Sequence, residues 1–330
     1  MEFRTTFTIK PSELKINYLT PAMFIGSCFS AEMGKKMENG KMQVLINPAG
    51  TVYNPVSICN TLEDIMENRR FTHEDLYRLG NLYLSFSHYS NFSDEDEDVV
   101  LEKINSSTQD AHSFLQNAKF LFVTFGTARV YRFTQTGKVV SNCHKLPASV
   151  FTSELLDVEK IIRLWDIHLN KLQKFNKDLK VIFTVSPIRH WKDGAHGNQI
   201  SKSVLFVGIE GLLEHSALNG YFPAYELIMD DLRDYRFYGK DMLHPSAEAV
   251  DYVWDAFKES YFTSETKKTW GKVNDIILAV NHKFLTDSRK GKTDFASGML
   301  HRISEVEEKY PYIIMDKEKS YFRNLLENIQ

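Results

Sequence analysis

The sequence predicts an α/β fold, a three-layer α/β/α sandwich built on a central, mostly parallel sheet. Short runs such as Phe120–Phe125 are apolar on both faces, as expected of strands that helices cover on either side. These runs alternate along the chain with longer segments in which apolar residues recur at helical spacing. That alternation is typical of a parallel sheet with helices in the two outer layers.

The predicted strands are apolar runs that stop at glycine, asparagine or a Ser-Pro pair. In chain order they are Ala22–Ile25, Val44–Ile46, Phe120–Phe125 and Lys180–Val185. Helices are predicted where the apolar spacing becomes helical. In chain order they are Ser30–Glu38, Pro55–Arg69, Asp98–Gln116, Ser153–Phe175, Asn198–His215, Pro223–Leu232 and Ser246–Glu259. Ligands of such sheets bind beyond the carboxyl ends of the strands, so functional residues are expected just after the strand runs.

The chain is expected to divide into a sandwich domain, residues 1–264, and a helical C-terminal extension, residues 265–330. After about Thr263 the sequence is helical in pattern and rich in lysine, and no further apolar strand follows. The extension is expected to pack on the sandwich or on a second subunit. The second arrangement would make the protein a homo-oligomer.

The charge balance argues against a nucleic-acid partner. The 330 residues include 40 basic and 43 acidic side chains, a formal net charge of −3, whereas nucleic-acid-binding proteins carry a basic excess or stripe. Apolar residues make up 43% and charged residues 25%. These fractions are close to the average for soluble globular proteins.

Neither a membrane span nor a secretory signal is visible in the sequence. The purely apolar runs, such as Phe120–Val123, are far too short to cross a bilayer, and Met1–Thr20 lacks the apolar segment of a signal peptide. Cys28, Cys59 and Cys143 are an odd number of cysteines without a C-x-x-C pair, which argues against a disulfide scaffold and structural zinc. A reducing cytoplasm is the expected location.

Ser27 is the first candidate functional residue. The segment Gly26–Ser30 follows directly on the first strand, so the Ser27 hydroxyl is expected at the carboxyl edge of the sheet. Its backbone N–H would lie near a helix N-terminus, where the helix dipole can stabilise an oxyanion. An ordinary N-cap serine is the alternative interpretation.

Asp241 and His244 form the second candidate element. A serine hydroxyl needs a base, and neutral imidazole supplies one near pH 7. The carboxylate three residues earlier in the same loop can fix the tautomer of the imidazole and stabilise its charged form. Pro245 favours an extended conformation for His244. A surface Asp beside an unrelated His is the alternative.

The two elements together resemble the SGNH (GDSL-like) hydrolases. The match is closer to the GSCFA family within that clan, whose motif here reads Gly26–Ser30, with Ser30 in place of the final alanine. The resemblance extends over roughly residues 20–262. It includes the blocks Asn47–Pro55, Thr124–Ala128, Asn142–Lys145, Thr184–His190, Tyr221–Glu226 and Asp234–Tyr238.

The resemblance implies a serine esterase that works through an acyl-enzyme. Ser27 would be the nucleophile, His244 the general base and acid, and Asp241 the residue that orients the imidazole. Gly50 would donate a backbone N–H to the oxyanion hole beside that of Ser27. The implied substrate is a small O-acylated molecule, by analogy with the wider clan a carbohydrate ester, and no metal or organic cofactor is needed.

The chain departs from the pattern of the clan in one block. Gly126 and Thr127 resemble the start of the G-x-N-D block and are expected to contact substrate, but Ala128 and Arg129 occupy the Asn and Asp positions. The missing Asn would be a side-chain donor to the oxyanion, and loss of one such donor can cost ~3–4 kcal/mol of transition-state stabilisation. A replacement donor is therefore expected.

Further polar residues are expected at the same edge of the sheet. Asn54, Asn142 and His144 are the candidate replacement donors, with Asn54 favoured and turn or capping chemistry as the alternative for each. Arg189 and His190 follow a strand and are expected to line the substrate pocket. Arg189 can bind a carboxylate or phosphate bidentately, and a surface ion pair is its alternative role.

Cys28 is interpreted as a small buried filler beside the nucleophile. Neighbouring residues of a tight turn point in different directions, so only Ser27 or Cys28 can face His244. The position of the motif favours Ser27. Acyl transfer to another hydroxyl, or ligand binding without catalysis on the same fold, are the alternative functions.

Overall fold

The chain folds around a five-stranded parallel sheet. The computed structural model describes residues 5–215, 219–285 and 288–328. The strands of the sheet are β1 (Ala22–Gly26), β2 (Val44–Ile46), β5 (Phe120–Phe125), β9 (Lys180–Val185) and β10 (Asn219–Tyr221). Their order across the sheet is β10-β9-β5-β1-β2, and every neighbouring pair is parallel.

Helices flank this sheet, and smaller antiparallel sheets are inserted between its strands. The helices are α1 (Cys28–Asn39), α2 (Pro55–Met66), α3 (Glu97–Asn117), α4 (Val158–Phe175), α5 (Gly194–His215), α6 (Ala224–Glu226), α7 (Ala247–Tyr261), α8 (Ser264–Val280), α9 (Arg289–Lys309) and α10 (Asp316–Glu327). The inserted strands are β3 (Tyr77–Leu79), β4 (Leu82–Leu84), β6 (Arg129–Phe133), β7 (Val139–Val140) and β8 (Phe151–Leu155).

The central strands are buried on both faces. Met23 and Leu121 belong to a core that α2, α4 and α5 share, in which Trp165 of α4 is fully buried. On the opposite face the rings of Phe24 and Phe122 stack with centroids 4.6 Å apart. The predicted three-layer α/β/α sandwich with a parallel central sheet is confirmed.

Three local differences from the predicted elements have physical causes. Ser153–Leu155 are strand rather than helix, because β8 pairs antiparallel with β6, and α4 begins only after the Asp157 N-cap. The predicted helix at Pro223–Leu232 is split between α6 and a π-helical turn, Leu227–Leu232. The strands β3, β4, β6, β7 and β10 were not predicted, since each is short or half-exposed.

The chain forms two compact units. One contains the chain up to Ile9, Pro21–Gly34 and Val44–Ala256, and it carries the sheet and every candidate site residue. The other contains Lys10–Thr20, Lys35–Gln43 and the chain from Phe257 onward.

The second unit is mainly helical, as the sequence predicts for the C-terminal region. Helix α9 packs against both α8 and α10. Val273, Ile303 and Phe322 are fully buried in these helices. Within the same unit Ile16 pairs with Phe262 in a parallel bridge. The domain boundary near residue 264 stays a prediction.

No helix in the described part of the chain is both long enough and apolar enough to span a bilayer.

Candidate active site

The candidate site lies at the carboxyl edge of the sheet, where β1 ends and α1 begins. Gly26 ends β1 with a φ of +136°, a conformation that residues with a side chain rarely adopt. A Cβ at this position would lie 2.2 Å from the carbonyl oxygen of Thr124 on β5. Glycine therefore allows the chain to turn in contact with the neighbouring strand, and the turn leads to Cys28 at the start of α1.

Cys28, His244 and Asp241 form a continuous chain of contacts. Sγ of Cys28 lies 3.7 Å from Nε2 of His244. Nδ1 of the same ring lies 2.6 Å from Oδ2 of Asp241. About half of each of the His244 and Asp241 side chains is exposed, 52% and 47%, so the imidazole meets both the thiol and solvent. Nucleophile, base and orienting carboxylate occur in this arrangement in covalent catalysis.

The assignment of Ser27 as the nucleophile stays a prediction, and in the structure its hydroxyl makes no hydrogen bond to His244. Ser27 is only 2% exposed, and its Oγ is buried with no hydrogen-bond partner among the described residues. Its backbone N–H donates to the carbonyl of Thr124 at 3.3 Å, and its own carbonyl accepts the N–H of Ser30. Neighbouring side chains of this turn do point in different directions, and the one that contacts the imidazole is Cys28.

The loop around Asp241 holds its carboxylate in place. Oδ1 accepts the N–H groups of Leu243 and His244, each at 3.0 Å, while Met242 adopts a φ of +59°. Those two N–H groups, together with the imidazole, hold the pKa of Asp241 well below its ordinary value. Because an ionised carboxylate can only accept hydrogen bonds, the hydrogen between the two groups belongs to Nδ1 of His244.

The Cys28 thiol is partly shielded from water. Burial raises the pKa of Cys28, while the backbone N–H groups of Cys28 and Phe29 at the start of α1 act in the opposite direction. Lys202 also favours the thiolate, and Glu32 opposes it. The thiol is therefore protonated near neutral pH, and a neighbouring base is needed to form the thiolate.

Gly50 and Asn54, two of the expected oxyanion donors, have other partners. The Gly50 N–H donates to the carbonyl of Asn47 at 2.7 Å, and a Cβ on Gly50 would lie 2.2 Å from Cβ of Tyr89. Asn54 is the N-cap of α2: its Oδ1 accepts the Ser57 N–H at 2.8 Å, and its Nδ2 lies 3.0 Å from Ser57 Oγ. The amide of Asn54 is thus used in helix capping.

Asn142 and His144 lie in a separate polar cluster. Oδ1 of Asn142 accepts the His144 N–H at 2.8 Å, and its Nδ2 lies 3.3 Å from Ser90 Oγ. Nε2 of His144 lies 2.9 Å from the carbonyl oxygen of Ser85. Burial lowers the pKa of His144. The hydrogen bonds of both side chains lie within this cluster rather than at Cys28.

Gly126 and Thr127 use their polar groups to build the edge of the sheet. The Gly126 N–H donates to the carbonyl of Tyr53 at 2.7 Å. Oγ1 of Thr127 lies 3.0 Å from Oγ of Ser201 on α5, and the same Ser201 oxygen accepts the Ala128 N–H at 2.7 Å. Ala128 is thus fixed by α5 in the position where the wider clan has a donor.

Lys202 on α5 is a site residue that the sequence did not single out. It is 1% exposed, and its Nζ donates to the carbonyls of Gly126 and Ser186, each at 2.7 Å. The ammonium group therefore joins the carboxyl ends of β5 and β9. Burial, followed by the charge of Arg189, lowers the pKa of Lys202 from 10.5 to about 7, and Cys28 acts in the opposite direction.

Arg189 and His190 follow β9 and lie beside the loop that carries Asp241. The Arg189 N–H donates to the carbonyl of Leu243 at 3.5 Å. Its guanidinium Nη1 lies 4.0 Å from Sδ of Met229, and its Nε is buried with no hydrogen-bond partner in the described residues. The His190 ring lies 6.5 Å from the ring of Tyr53, and burial lowers the pKa of His190.

In the parts of the chain that the structure describes, no group of three or more His, Cys, Asp or Glu side chains is arranged to hold a metal ion.

Comparisons with known proteins place the chain in a sequence family. A model of the GSCFA family matches residues 21–257, a range that includes the whole sheet and Cys28, Asp241 and His244. No curated protein matches the chain. Among solved structures it is similar to a carbohydrate esterase family 3 from Talaromyces cellulolyticus, with 9% sequence identity and a TM-score of 0.37. That similarity covers 78% of this chain and 99% of the other.

Proposed function

The chain belongs to the GSCFA family, and on that premise we propose that it is an acyl hydrolase that cleaves an ester through a covalent acyl-enzyme. The observation that carries the proposal is the chain of contacts from the Cys28 thiol through the His244 imidazole to the Asp241 carboxylate. The proposed nucleophile is therefore Cys28. Ser27, which the motif predicts as the nucleophile, is the alternative, and ester turnover by the Cys28→Ala and Ser27→Ala variants distinguishes the two.

The first half of the proposed reaction forms a thioester. Sγ of Cys28 attacks the carbonyl carbon of the ester while its proton passes to Nε2 of His244. Asp241 stabilises the imidazolium through Nδ1. The tetrahedral intermediate then collapses, the C–O bond of the ester breaks, and the departing alkoxide takes the proton from Nε2. The products are the free alcohol and an acyl group on sulfur.

The second half releases the acid. A water molecule attacks the thioester carbonyl while Nε2 of His244 takes one of its protons. The C–S bond then breaks, and the imidazolium returns the proton to the sulfur. The half-exposed imidazole is open to solvent, which favours water as the acceptor. Transfer of the acyl group to another hydroxyl differs only in the molecule that occupies this position.

The proposed oxyanion donors are backbone groups at the start of α1, where the helix dipole favours negative charge. The Ser27 N–H makes only a long contact, 3.3 Å, to the Thr124 carbonyl, so it is the easiest of the expected donors to redirect. The Gly50 N–H, which donates to the Asn47 carbonyl, would also donate to the oxyanion. The proposed substrate is a small O-acylated molecule such as a carbohydrate ester.

Turnover of a 4-nitrophenyl ester by matched variants tests the proposal. Cys28→Ala is expected to abolish turnover, and Ser27→Ala is expected to retain most of it. Cys143→Ala is the matched control, since Cys143 is a partly exposed free cysteine outside the site. Mass spectrometry of the wild type under turnover should find the acyl group on the peptide that contains Cys28, and hydroxylamine should remove it.

Three results would contradict parts of the proposal. Loss of turnover in Ser27→Ala with activity kept in Cys28→Ala would make Ser27 the nucleophile. Turnover that persists in both variants would place the chemistry elsewhere. A well-folded wild type that neither turns over any ester of a broad panel nor acquires an acyl group would indicate a binding module on the same fold.

A further inference from the structure

We propose that Arg189 binds a carboxylate or phosphate group of the substrate, so that the preferred substrates are esters of anionic molecules. The inference rests on the proposed function for the reacting atoms, but the anion site itself would exist without catalysis.

The position of Arg189 beside the triad is the first observation. Its backbone N–H donates to the carbonyl of Leu243, and the Leu243 N–H donates to the carboxylate of Asp241. The loop after β9 is thus hydrogen-bonded to the loop that carries His244. The Arg189 backbone therefore lies beside this loop, and we expect a group bound by its side chain to lie on the same side of the sheet as the imidazole.

The second observation is that the Arg189 guanidinium has no carboxylate partner among the described residues. Its polar contact is to Sδ of Met229 at 4.0 Å, and it lies 5.7 Å from the Trp191 ring. Its Nε is buried without an acceptor. A buried donor at a charged group is destabilised when it has no acceptor, so the site favours a molecule that brings oxygen acceptors.

The acidic side chains of this region are already occupied. Asp193 pairs with Arg129 at 3.0 Å. Both carboxylate oxygens of Glu226 lie 2.8 Å from the Tyr221 hydroxyl. The acids are thus engaged with other groups and leave the guanidinium available to a ligand.

The third observation is a second cation in the same place. Lys202 Nζ donates to the carbonyl of Ser186, in the segment that leads to Arg189, and the charge of Arg189 contributes to the lowered pKa of Lys202. The same charge opposes the burial that raises the pKa of Tyr225 and of Tyr238. The Arg189 guanidinium and the Lys202 amino group both lie at this end of the sheet, and neither forms an ion pair with a carboxylate in the described residues. Arginine binds carboxylate and phosphate oxygens through two parallel N–H···O bonds, so these anions fit the site.

The test compares three aryl acetates: those of 4-hydroxybenzoate, 4-hydroxyphenyl phosphate and neutral 4-methoxyphenol. Each is assayed with the wild type, Arg189→Gln and Arg189→Lys, so that differences between leaving groups cancel within each substrate. Arg189→Gln is expected to lower kcat/KM for at least one anionic acetate by 10-fold to 100-fold and to change the neutral one by less than 3-fold. Arg189→Lys keeps the charge but not the paired donors, so its kcat/KM for the anionic acetates should lie between those of the wild type and Arg189→Gln.

The two anionic acetates distinguish carboxylate from phosphate as the bound group. Equal losses for all three acetates in Arg189→Gln would overturn the inference and indicate a role in folding or in holding the loop. An unchanged kcat/KM for both anionic acetates would overturn it as well.

A binding measurement separates this inference from the proposed function. Cys28→Ala protein, with and without Arg189→Gln, is titrated with 4-hydroxybenzoate and with inorganic phosphate by calorimetry, and 4-hydroxybenzamide is the neutral control. Anion binding that Arg189→Gln weakens at least 10-fold would uphold the site even if no ester is ever turned over. Failure of both anions to bind more tightly than the amide would overturn it.

Discussion

Asp241 contacts the His244 imidazole on the side opposite the Cys28 thiol. Asp241 accepts two backbone N–H groups as well as the His244 ring, and its pKa lies well below the ordinary value. The carboxylate is therefore ionised throughout the pH range of an assay. Protonation of Asp241 therefore does not change ester turnover between pH 5 and pH 7.

Asp241→Asn is expected to lower kcat for ester turnover by about 10²-fold to 10⁴-fold. An amide cannot stabilise the imidazolium, and its N–H₂ group can turn toward the ring and favour the wrong tautomer. The circular dichroism spectrum should remain that of the wild type, since the residue is half-exposed. A variant that keeps more than a tenth of the wild-type kcat would show that Asp241 is not the orienting residue.

Lys202 makes the stability of the protein depend on pH in a defined direction. Its pKa is about 7 in the folded chain and 10.5 as the ordinary value, so between these values the unfolded state binds more protons than the folded state. The free energy of unfolding of the wild type, relative to Lys202→Met, should therefore rise from pH 7 to pH 10 and stay level below pH 7. The slope can reach about 1.4 kcal/mol per pH unit.

Urea unfolding of both proteins between pH 6 and pH 10 measures this difference directly. Both proteins carry Cys28→Ala, because Lys202 and Cys28 shift each other's pKa, and the comparison then cancels the titration of groups that do not interact with Lys202. A constant difference across the range would show that the ammonium keeps its ordinary pKa and that the two carbonyl contacts compensate for its burial.

The sequence contained a signal for Lys202 that the motifs did not use. Lys202, Leu205, Ile209 and Leu212 are spaced at three, four and three residues, which places them on one face of α5, and all four are buried. A lysine on an apolar stripe is unusual enough to mark a buried polar site.

The choice between Ser27 and Cys28, in contrast, depends on the residue at which the first turn of α1 begins. Hydrophobic periodicity does not locate the start of a helix to a single residue.

At the scale of the elements, the turn between β1 and α1 is the most constrained part of the site. Gly26→Ala is expected to lower the free energy of unfolding by about 3 kcal/mol or more, because the new Cβ would meet the Thr124 carbonyl oxygen and because a φ of +136° is strained for alanine. Esterase activity should fall with it, since the same turn positions Cys28.

Gly271→Ala is the matched control for that measurement. A Cβ on Gly271 meets no atom within 4 Å, and the residue lies inside α8. Alanine should leave the protein unchanged or stabilise it by up to about 1 kcal/mol. Equal destabilisation by both substitutions, measured by urea unfolding, would contradict the steric argument.

The strands of the central sheet could be predicted because burial on both faces leaves a continuous apolar run. The strands β1, β2, β5 and β9 end within one residue of their predicted ends. Strands such as β6 are half-buried and depend on their antiparallel partners β7 and β8. Their local sequence therefore gives a weaker signal, and tertiary pairing decides their conformation.

At the scale of the whole molecule, we propose that the C-terminal helices mediate self-association. Leu278 of α8 and Ile314, just before α10, are 61% and 63% exposed. Leu278→Glu and Ile314→Glu should convert an oligomer to a monomer, measured by light scattering at tens of micromolar protein. Ile167→Glu on α4 is the control, since Ile167 is 56% exposed and lies outside these helices.

A wild-type protein that is already monomeric would refute the proposal of self-association, and so would equal dissociation by Ile167→Glu.

The architecture as a whole was predictable, because strand and helix patterns alternate over most of the chain. The division into units was less accessible, because Lys10–Thr20 and Lys35–Gln43 join the C-terminal helices in one unit, and no local pattern indicates such long-range contacts.

The shielding of the Cys28 thiol has a consequence for survival under oxidative stress. Peroxide and alkylating agents consume thiolates, and the raised pKa of Cys28 keeps its sulfur as the neutral thiol at neutral pH. The resting protein should therefore retain its activity through an exposure to hydrogen peroxide that inactivates enzymes whose cysteine is permanently ionised. A chain with this arrangement could keep working in cells where a more reactive sulfur would already have been lost.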